Sequence, residues 1–392
     1  MTDVALVHDY LTQRGGAERV VLSLLDTFPG APVYTSLYDL PGTFAEFAAA
    51  DVRPSPLDRS RLLARHHRLA LPLLARTFDR MTVDAEVAVC STSGWAHGAR
   101  VTGRKVVYCH TPARWLYQTD RYVGESGRAA RLAVALLGHR LRRWDREAAL
   151  SADRYVVNST VVRERVRELY GLEAEVVPPP PALTPEGESR PVPGLEPGFV
   201  LCVSRLLPYK NVGRVTAAFA SLADERLVVA GGGPELERLR RTAPPNVHVL
   251  GRVGDQELRW LYASCAGIVA ASYEDFGLTP LEAASFGRPA SVLRFGGFLD
   301  TVRDGETGTF FDAPDEPTIA AAVERLLRGS WDAELLRAHA RTFGAERFVA
   351  RMREIADGSP SPGTGTRKPS VGGYSLHRTE DTLPTNSKPE SR

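Results

Sequence analysis

Closely spaced cysteines are missing from this sequence: its four, Cys90, Cys109, Cys202 and Cys265, stand far apart among apolar neighbours. That excludes a disulfide framework, a zinc site of the C-x-x-C kind and a thioredoxin-like redox pair. The four predict small core residues in a reducing compartment. A charge bias is missing too, with 49 Lys and Arg against 47 Asp and Glu and a formal net charge of +2, so no overall field draws the chain to nucleic acid. No window approaches the 18 or so uncharged apolar residues that a membrane span requires. The opening MTDVALVHDY carries no basic segment ahead of an apolar stretch. A cytoplasmic chain that does not cross a membrane is the expectation.

What is present is alternation. Short apolar runs at 4–8, 85–90, 105–109, 154–158, 199–203, 226–230, 247–250, 267–271 and 289–293 are separated by helix-length amphipathic segments. Strands spaced in this way predict an α/β protein with mainly parallel sheets covered by helices on both faces. With 392 residues there is length for two such units. Prolines and glycines in VPPPPALTPEGESRPVPGLEP deny regular structure a foothold, which places a linker at 178–198 between units at 1–177 and 199–340. From 358 onward Ser, Pro, Gly and Thr dominate and large apolar residues are nearly gone, predicting a disordered tail over 358–392. Between them, the apolar spacing across 333–357 predicts two helices covering the second unit.

Five stretches could carry chemistry. In SYEDFGLTPLEAASFGRPA, Glu274 precedes the turn Phe276-Gly277 and Glu282 follows Leu278, Thr279 and Pro280. Pro280 suits the first turn of a helix, whose exposed N–H groups at Leu278 and Thr279 form an anion site. In VSRLLPYKNV, Arg205 and Lys210 follow an apolar run and so project into the crevice beyond a strand's C-terminal end, placed to neutralise a diphosphate. VVAGGGPELERL has the strand–glycine–helix order of a dinucleotide site, but Leu236 stands where the last glycine of G-x-G-x-x-G belongs. Gly15-Gly16 connects the first strand to the first helix, leaving N–H groups free for a phosphate or an incoming hydroxyl. KVVYCHTPARWLYQ ends a strand at His110, with Arg114, Trp115 and Tyr117 beside it.

Taken in order, SRLLPYKN, EDFGLTPLEA and FGGFLDTVRDGETGTFF resemble the retaining GT-B glycosyltransferases of family GT4. YCHTPARWLYQ and RGGAE resemble its mannosyltransferase-like branch, which works on cell-surface polysaccharide and glycolipid precursors. The resemblance spans about 3–357. It implies two Rossmann-like domains facing across a cleft, with a final helix at 341–357 crossing back to the first. It implies that Arg205 and Lys210 grip the donor diphosphate, that Glu282 holds the ribose and that Glu274 faces the donor sugar. His110 then sits near the reacting sugar, Gly15 and Gly16 near the phosphate or acceptor, and Gly296-Gly297 on the sugar side. Phe276, Gly277, Leu278 and Thr279 form the turn under the diphosphate, and Gly251, Arg252 and Val253 meet the base. FGAERF departs from the aromatic-rich form usual for the crossing helix.

The chain has no D-x-D, so the expectation is metal-independent transfer of a hexose, mannose from GDP-mannose, with no further cofactor, to a glycan or lipid-linked acceptor. The alternatives are a UDP-sugar-dependent transferase of the same fold and a non-catalytic nucleotide-sugar-binding protein. Seven arginines against Asp58 and Asp79 in 53–80, and a second basic stretch at 100–146, suit either an anionic membrane surface at the inner face of the plasma membrane or solvated amphipathic helices. No nucleic-acid-binding motif is present.

Overall fold

Two all-parallel sheets organise the chain. The computed structural model describes residues 2–60, 62–63, 70–118 and 128–359. Its first sheet comprises β1 (Val4–His8), β2 (Val33–Thr35), β3 (Val52–Pro54), β5 (Val87–Thr92), β7 (Arg104–Cys109), β8 (Arg154–Val157) and β9 (Glu175–Val176). These run in the order β3-β2-β1-β5-β7-β8-β9, and the short strands β4 (Thr82–Val83) and β6 (Arg100–Val101) pair apart from them. The second sheet comprises β10 (Val200–Val203), β11 (Leu227–Ala230), β12 (Val247–Gly251), β13 (Gly267–Ala270), β14 (Ala290–Leu293) and β15 (Gly308–Phe311), in the order β12-β11-β10-β13-β14-β15. Central strands are apolar on both faces because helices cover both sides. Every residue of β1, β5, β11 and β13 is accordingly buried.

No helix or strand forms between Val176 and Val200, where the prolines lie. Leu183 of that stretch nonetheless packs into the second core beside Tyr262 and Phe298. The four cysteines are buried and unpaired, and burial pushes the Cys90 thiol up to about 12.

The two helices at the end of the second unit divide their loyalties. Leu336 and Ala340, on the helix Ala333–Arg341, pack against Ala284 of the second unit. Phe348, Met352, Ile355 and Ala356, on the helix Ala345–Ala356, join the core of the first sheet with Leu6, Val21 and Val89. The apolar spacing predicts a helix pair covering the second unit alone. The second of the pair instead crosses back, because a buried apolar face lies open to it on the first. Tyr108 meets Phe348 edge-on at 5.8 Å, and Glu175 takes Arg351 and Arg154 at once.

The expected disordered tail lies outside the described residues beyond Ser359, and so do residues 61, 64–69 and 119–127 of the two basic stretches. Among the described residues no helix is long and apolar enough to cross a membrane.

Candidate active site

The strand orders bring the C-terminal ends of β1, β5 and β7 side by side in the first sheet and those of β10 and β13 side by side in the second. Ligands of open parallel sheets bind at such ends. Each candidate stretch supplies one loop to this region.

Lys210 closes a short turn, Pro208–Lys210, and is followed by Asn211 at φ 54°. Asparagine tolerates that left-handed conformation better than most side chains, and its Nδ2 donates to the carbonyl of Ala271 at 2.8 Å. The turn is thereby tied to the end of β13, and Lys210 is buried and ion-paired with Glu274 Oε1. Ser272 Oγ also donates to Glu274 Oε1, at 3.0 Å. Burial pushes the Glu274 carboxyl up, but the Lys210 ammonium, with Arg114 and the Ser272 hydroxyl, outweighs it and holds the group below the usual carboxylate range.

Gly277 sits at φ +86°, where a side chain would be strained, and a Cβ there would meet the Phe298 ring at 2.5 Å. It opens the helix Leu278–Ser285, whose first N–H groups have no intrahelical acceptor. Gly297 packs so tightly on this turn that a Cβ would lie 2.2 Å from Phe276 Cα. Glu282 is the fifth residue of the helix, one turn in rather than in the first turn. Its Oε2 accepts from the Tyr262 hydroxyl at 2.7 Å. Burial raises the Glu282 carboxyl, and Tyr262 and the backbone of Ala182 offset this only in part.

Gly251 takes φ +87° at the end of β12 and its carbonyl accepts from the N–H of Gly231 at 2.8 Å. The glycine loop after β11 therefore lies beside Gly251, exposed Arg252 and Val253, one shelf made by two loops.

The first half faces this shelf with its Gly15-Gly16 turn. A Cβ on Gly16 would lie 3.8 Å from Leu278 Cδ1 of the second half. Arg205 reaches across, its Nη1 donating to Gln13 Oε1 at 3.3 Å and its Nη2 to the Tyr209 hydroxyl at 3.3 Å. Arg19 reaches across in the opposite sense, its Nη2 donating to Asp255 of the second half at 3.3 Å. His110 is buried, its Nε2 2.8 Å from Ser91 Oγ and its carbonyl accepting from Asn158 Nδ2 at 3.0 Å. Burial, reinforced by the charge of His8, lowers its imidazole to about 3.

The structure thus pairs Lys210 with Glu274 and puts Gly16 against Leu278, while Arg205 turns to Gln13 and Glu282 to Tyr262. Sequence reasoning missed Asp275. Its buried carboxylate accepts from Arg114 Nε at 2.8 Å and from Arg165, both on the first half, and its carbonyl accepts from Ser159 Oγ. Its carboxyl is pushed up by burial and held down more strongly by the two guanidiniums, so it stays below the usual range. It also missed His8 and Glu18, a buried pair under the glycine turn at 3.8 Å. The available signals were the histidine ending β1 and the glutamate in RGGAE. Among the described residues no group of three or more His, Cys, Asp or Glu could hold a metal ion.

Residues 14–181 match the family model described as Glycosyltransferase Family 4, and residues 187–343 that described as Glycosyl transferases group 1. A D-inositol 3-phosphate glycosyltransferase of Acidothermus cellulolyticus is 34% identical over 233 residues, which is 50% of this chain and 51% of the relative. A GDP-mannose-dependent alpha-(1-6)-phosphatidylinositol monomannoside mannosyltransferase of Mycolicibacterium smegmatis is 34% identical over 185 residues, 42% of each chain. The chain spans about half the length of these curated relatives. Among solved structures, HepE of Anabaena in complex with UDP-glucose superposes with a TM-score of 0.67 at 16% identity, covering 91% of this chain and 99% of that one. The fold is GT-B, as the sequence leads one to expect.

Proposed function

We propose, from the match of its two halves to the family models described as Glycosyltransferase Family 4 and Glycosyl transferases group 1, that the chain moves mannose from GDP-mannose to a glycan or lipid-linked acceptor, with retention and without a metal ion or other cofactor. The observation carrying this reading is the Lys210–Glu274 pair beside the Gly277 turn, facing Gly15-Gly16 of the other half. An ammonium has three donors and Glu274 uses one, which leaves two for phosphate oxygens.

In this reading the bond between the anomeric carbon and the diphosphate oxygen breaks with its electron pair passing to the oxygen. Lys210, Arg205 and the N–H groups at Leu278 and Thr279 stabilise that charge where it develops. The acceptor oxygen bonds to the anomeric carbon from the face the diphosphate leaves, and its proton passes to the departing phosphate. Glu274 holds sugar hydroxyls and Glu282 the ribose, while His110 lines the sugar side. The loop at Gly251, Arg252 and Val253 meets the base.

The choice of GDP-mannose rests on the name of the mycolicibacterial relative and on the mannosyltransferase-like stretches around His110 and Gly16. A loop that meets the base through its backbone does not by itself choose between guanine and uracil. A thermal-shift panel of GDP-, UDP- and ADP-sugars tests the choice, since a ligand bound by the folded state raises its apparent stability. GDP-mannose should give the largest shift, and a larger one with UDP-glucose refutes the mannosyl reading. Transfer that survives EDTA supports the metal-free step; loss of transfer restored by Mn²⁺ refutes it. The basic stretches are proposed to rest on anionic lipid near the acceptor, for which flotation with anionic vesicles at low and high salt is the test.

A further inference from the structure

Beneath the glycine turn runs a line of polar groups, of which the buried His8, Glu18 and Ser91 have no part in the proposed mechanism. His8 and Ser91 are register partners at the ends of β1 and β5, and His110 follows the next strand, β7. Ser91 Oγ lies 2.8 Å from His110 Nε2 and 3.1 Å from His8 Nδ1. His8 Nδ1 is also 3.1 Å from the Ser91 carbonyl oxygen, and His8 Nε2 is 3.8 Å from Glu18 Oε1. Glu18 Oε1 accepts from Gln13 Nε2 at 3.0 Å, and Gln13 in turn accepts from Arg205. Glu18 Oε2, buried beside Gly15, has no hydrogen-bond partner.

The direction of the hydrogen bonds can be worked out from what each atom is able to do. A carbonyl oxygen only accepts, so His8 Nδ1, facing that of Ser91, must carry a proton. That proton is shared between the Ser91 carbonyl and hydroxyl oxygens, so the hydroxyl need not donate to His8. The Ser91 hydroxyl meets no other acceptor among the described residues, so its single hydrogen goes to His110 Nε2, which is then bare. A neutral imidazole with a bare Nε2 carries its proton on Nδ1.

We infer that Glu18, His8 and Ser91 are positioning residues that fix His110 as the Nδ1–H tautomer, presenting a hydrogen-bond donor to the donor sugar. Burial alone lowers the His8 imidazole, and the Glu18 carboxylate more than reverses this, so the group's hold on a proton is raised. His110 stays neutral, its imidazole lowered by burial to about 3, so its one ring proton stands at a stated nitrogen. The inference rests on the reading that His110 faces the sugar, but its core is a statement about one ring and can be measured without substrate.

The experiment is two-bond ¹H–¹⁵N NMR on the full chain labelled at histidine, with the His110 signals identified by their loss in His110→Gln. The expected result is a protonated Nδ1 and a bare Nε2 on His110 at neutral pH. Ser91→Ala should release the ring into exchange between tautomers, and Ser91→Thr, which keeps the hydroxyl, should restore the single form. In transfer assays Ser91→Ala and Glu18→Gln should each lower kcat about tenfold, the size of one lost buried hydrogen bond, with donor KM changed less than about threefold. A proton on His110 Nε2, or an unchanged single tautomer in Ser91→Ala, overturns the inference. The expected tautomer together with full transfer by His110→Gln overturns instead the placement of His110 beside the sugar.

Discussion

Replacing Lys210 with Met keeps most of the side chain's volume and removes its charge. The Lys210 side chain is 9% exposed and that of Glu274 23%, so the variant leaves a carboxylate mostly buried without its cation. Breaking a buried ion pair costs about 3–5 kcal/mol. Glu274 keeps some solvent and the 3.0 Å hydrogen bond from Ser272, which brings the expected loss to about 2 kcal/mol. Urea unfolding should show that loss as a lower midpoint at unchanged m-value. The double variant Lys210→Met with Glu274→Met, having no orphaned charge, should recover most of it. Transfer behaves differently. The ammonium is proposed to stabilise the leaving diphosphate, so both variants should turn over about 10²- to 10³-fold more slowly than the parent. A stability loss that the double variant fails to recover refutes the ion-pair account, and normal turnover in Lys210→Met refutes the catalytic one.

Other predictions follow from the same contacts. Asp275→Ala leaves Arg114 and Arg165 facing each other and should cost about 3–5 kcal/mol, measured by urea unfolding. Because the folded Asp275 carboxyl is held low, its contribution is present above the ordinary aspartate value of about 4 and is lost as pH falls through the lower folded one, so the variant's acid limb should be flatter. Glu282 has the opposite sign: its raised carboxyl costs stability as pH rises through the folded value. Glu282→Gln should therefore raise the melting temperature at neutral pH while weakening donor binding, both readable in one thermal-shift titration. Met352→Ala, on the crossing helix, opens a cavity in a fully buried site and should cost about 2–5 kcal/mol by calorimetry or denaturant.

The central strands were legible because parallel strands covered on both faces read as unbroken apolar runs, as VALVH and GIVAA do. Strands β2, β3 and β9, at or next to the edges of the first sheet, escaped, being two or three residues long with partly exposed positions such as Arg53 and Glu175. The crossing helix carries the same apolar spacing as the helix before it, and nothing in FGAERF says which core will receive Phe348. In the site, the charge types of Lys210 and Glu274 could be read locally, but their pairing depends on the turn that Asn211 fastens to β13. Asp275 stood unnoticed between two quoted residues because its partners are 161 and 110 positions away in sequence. His8 and Ser91 become neighbours only through strand register, and that is why a polar line from Gln13 to His110 cannot be seen along the chain.

The most direct test of the account is a crystal structure with intact GDP-mannose. The account predicts the pyrophosphate within hydrogen-bonding distance of Lys210 Nζ, the Arg205 guanidinium and the N–H groups after Gly277, with the ribose hydroxyls on Glu282. A pyrophosphate bound away from these groups, or held chiefly by a divalent ion, contradicts it.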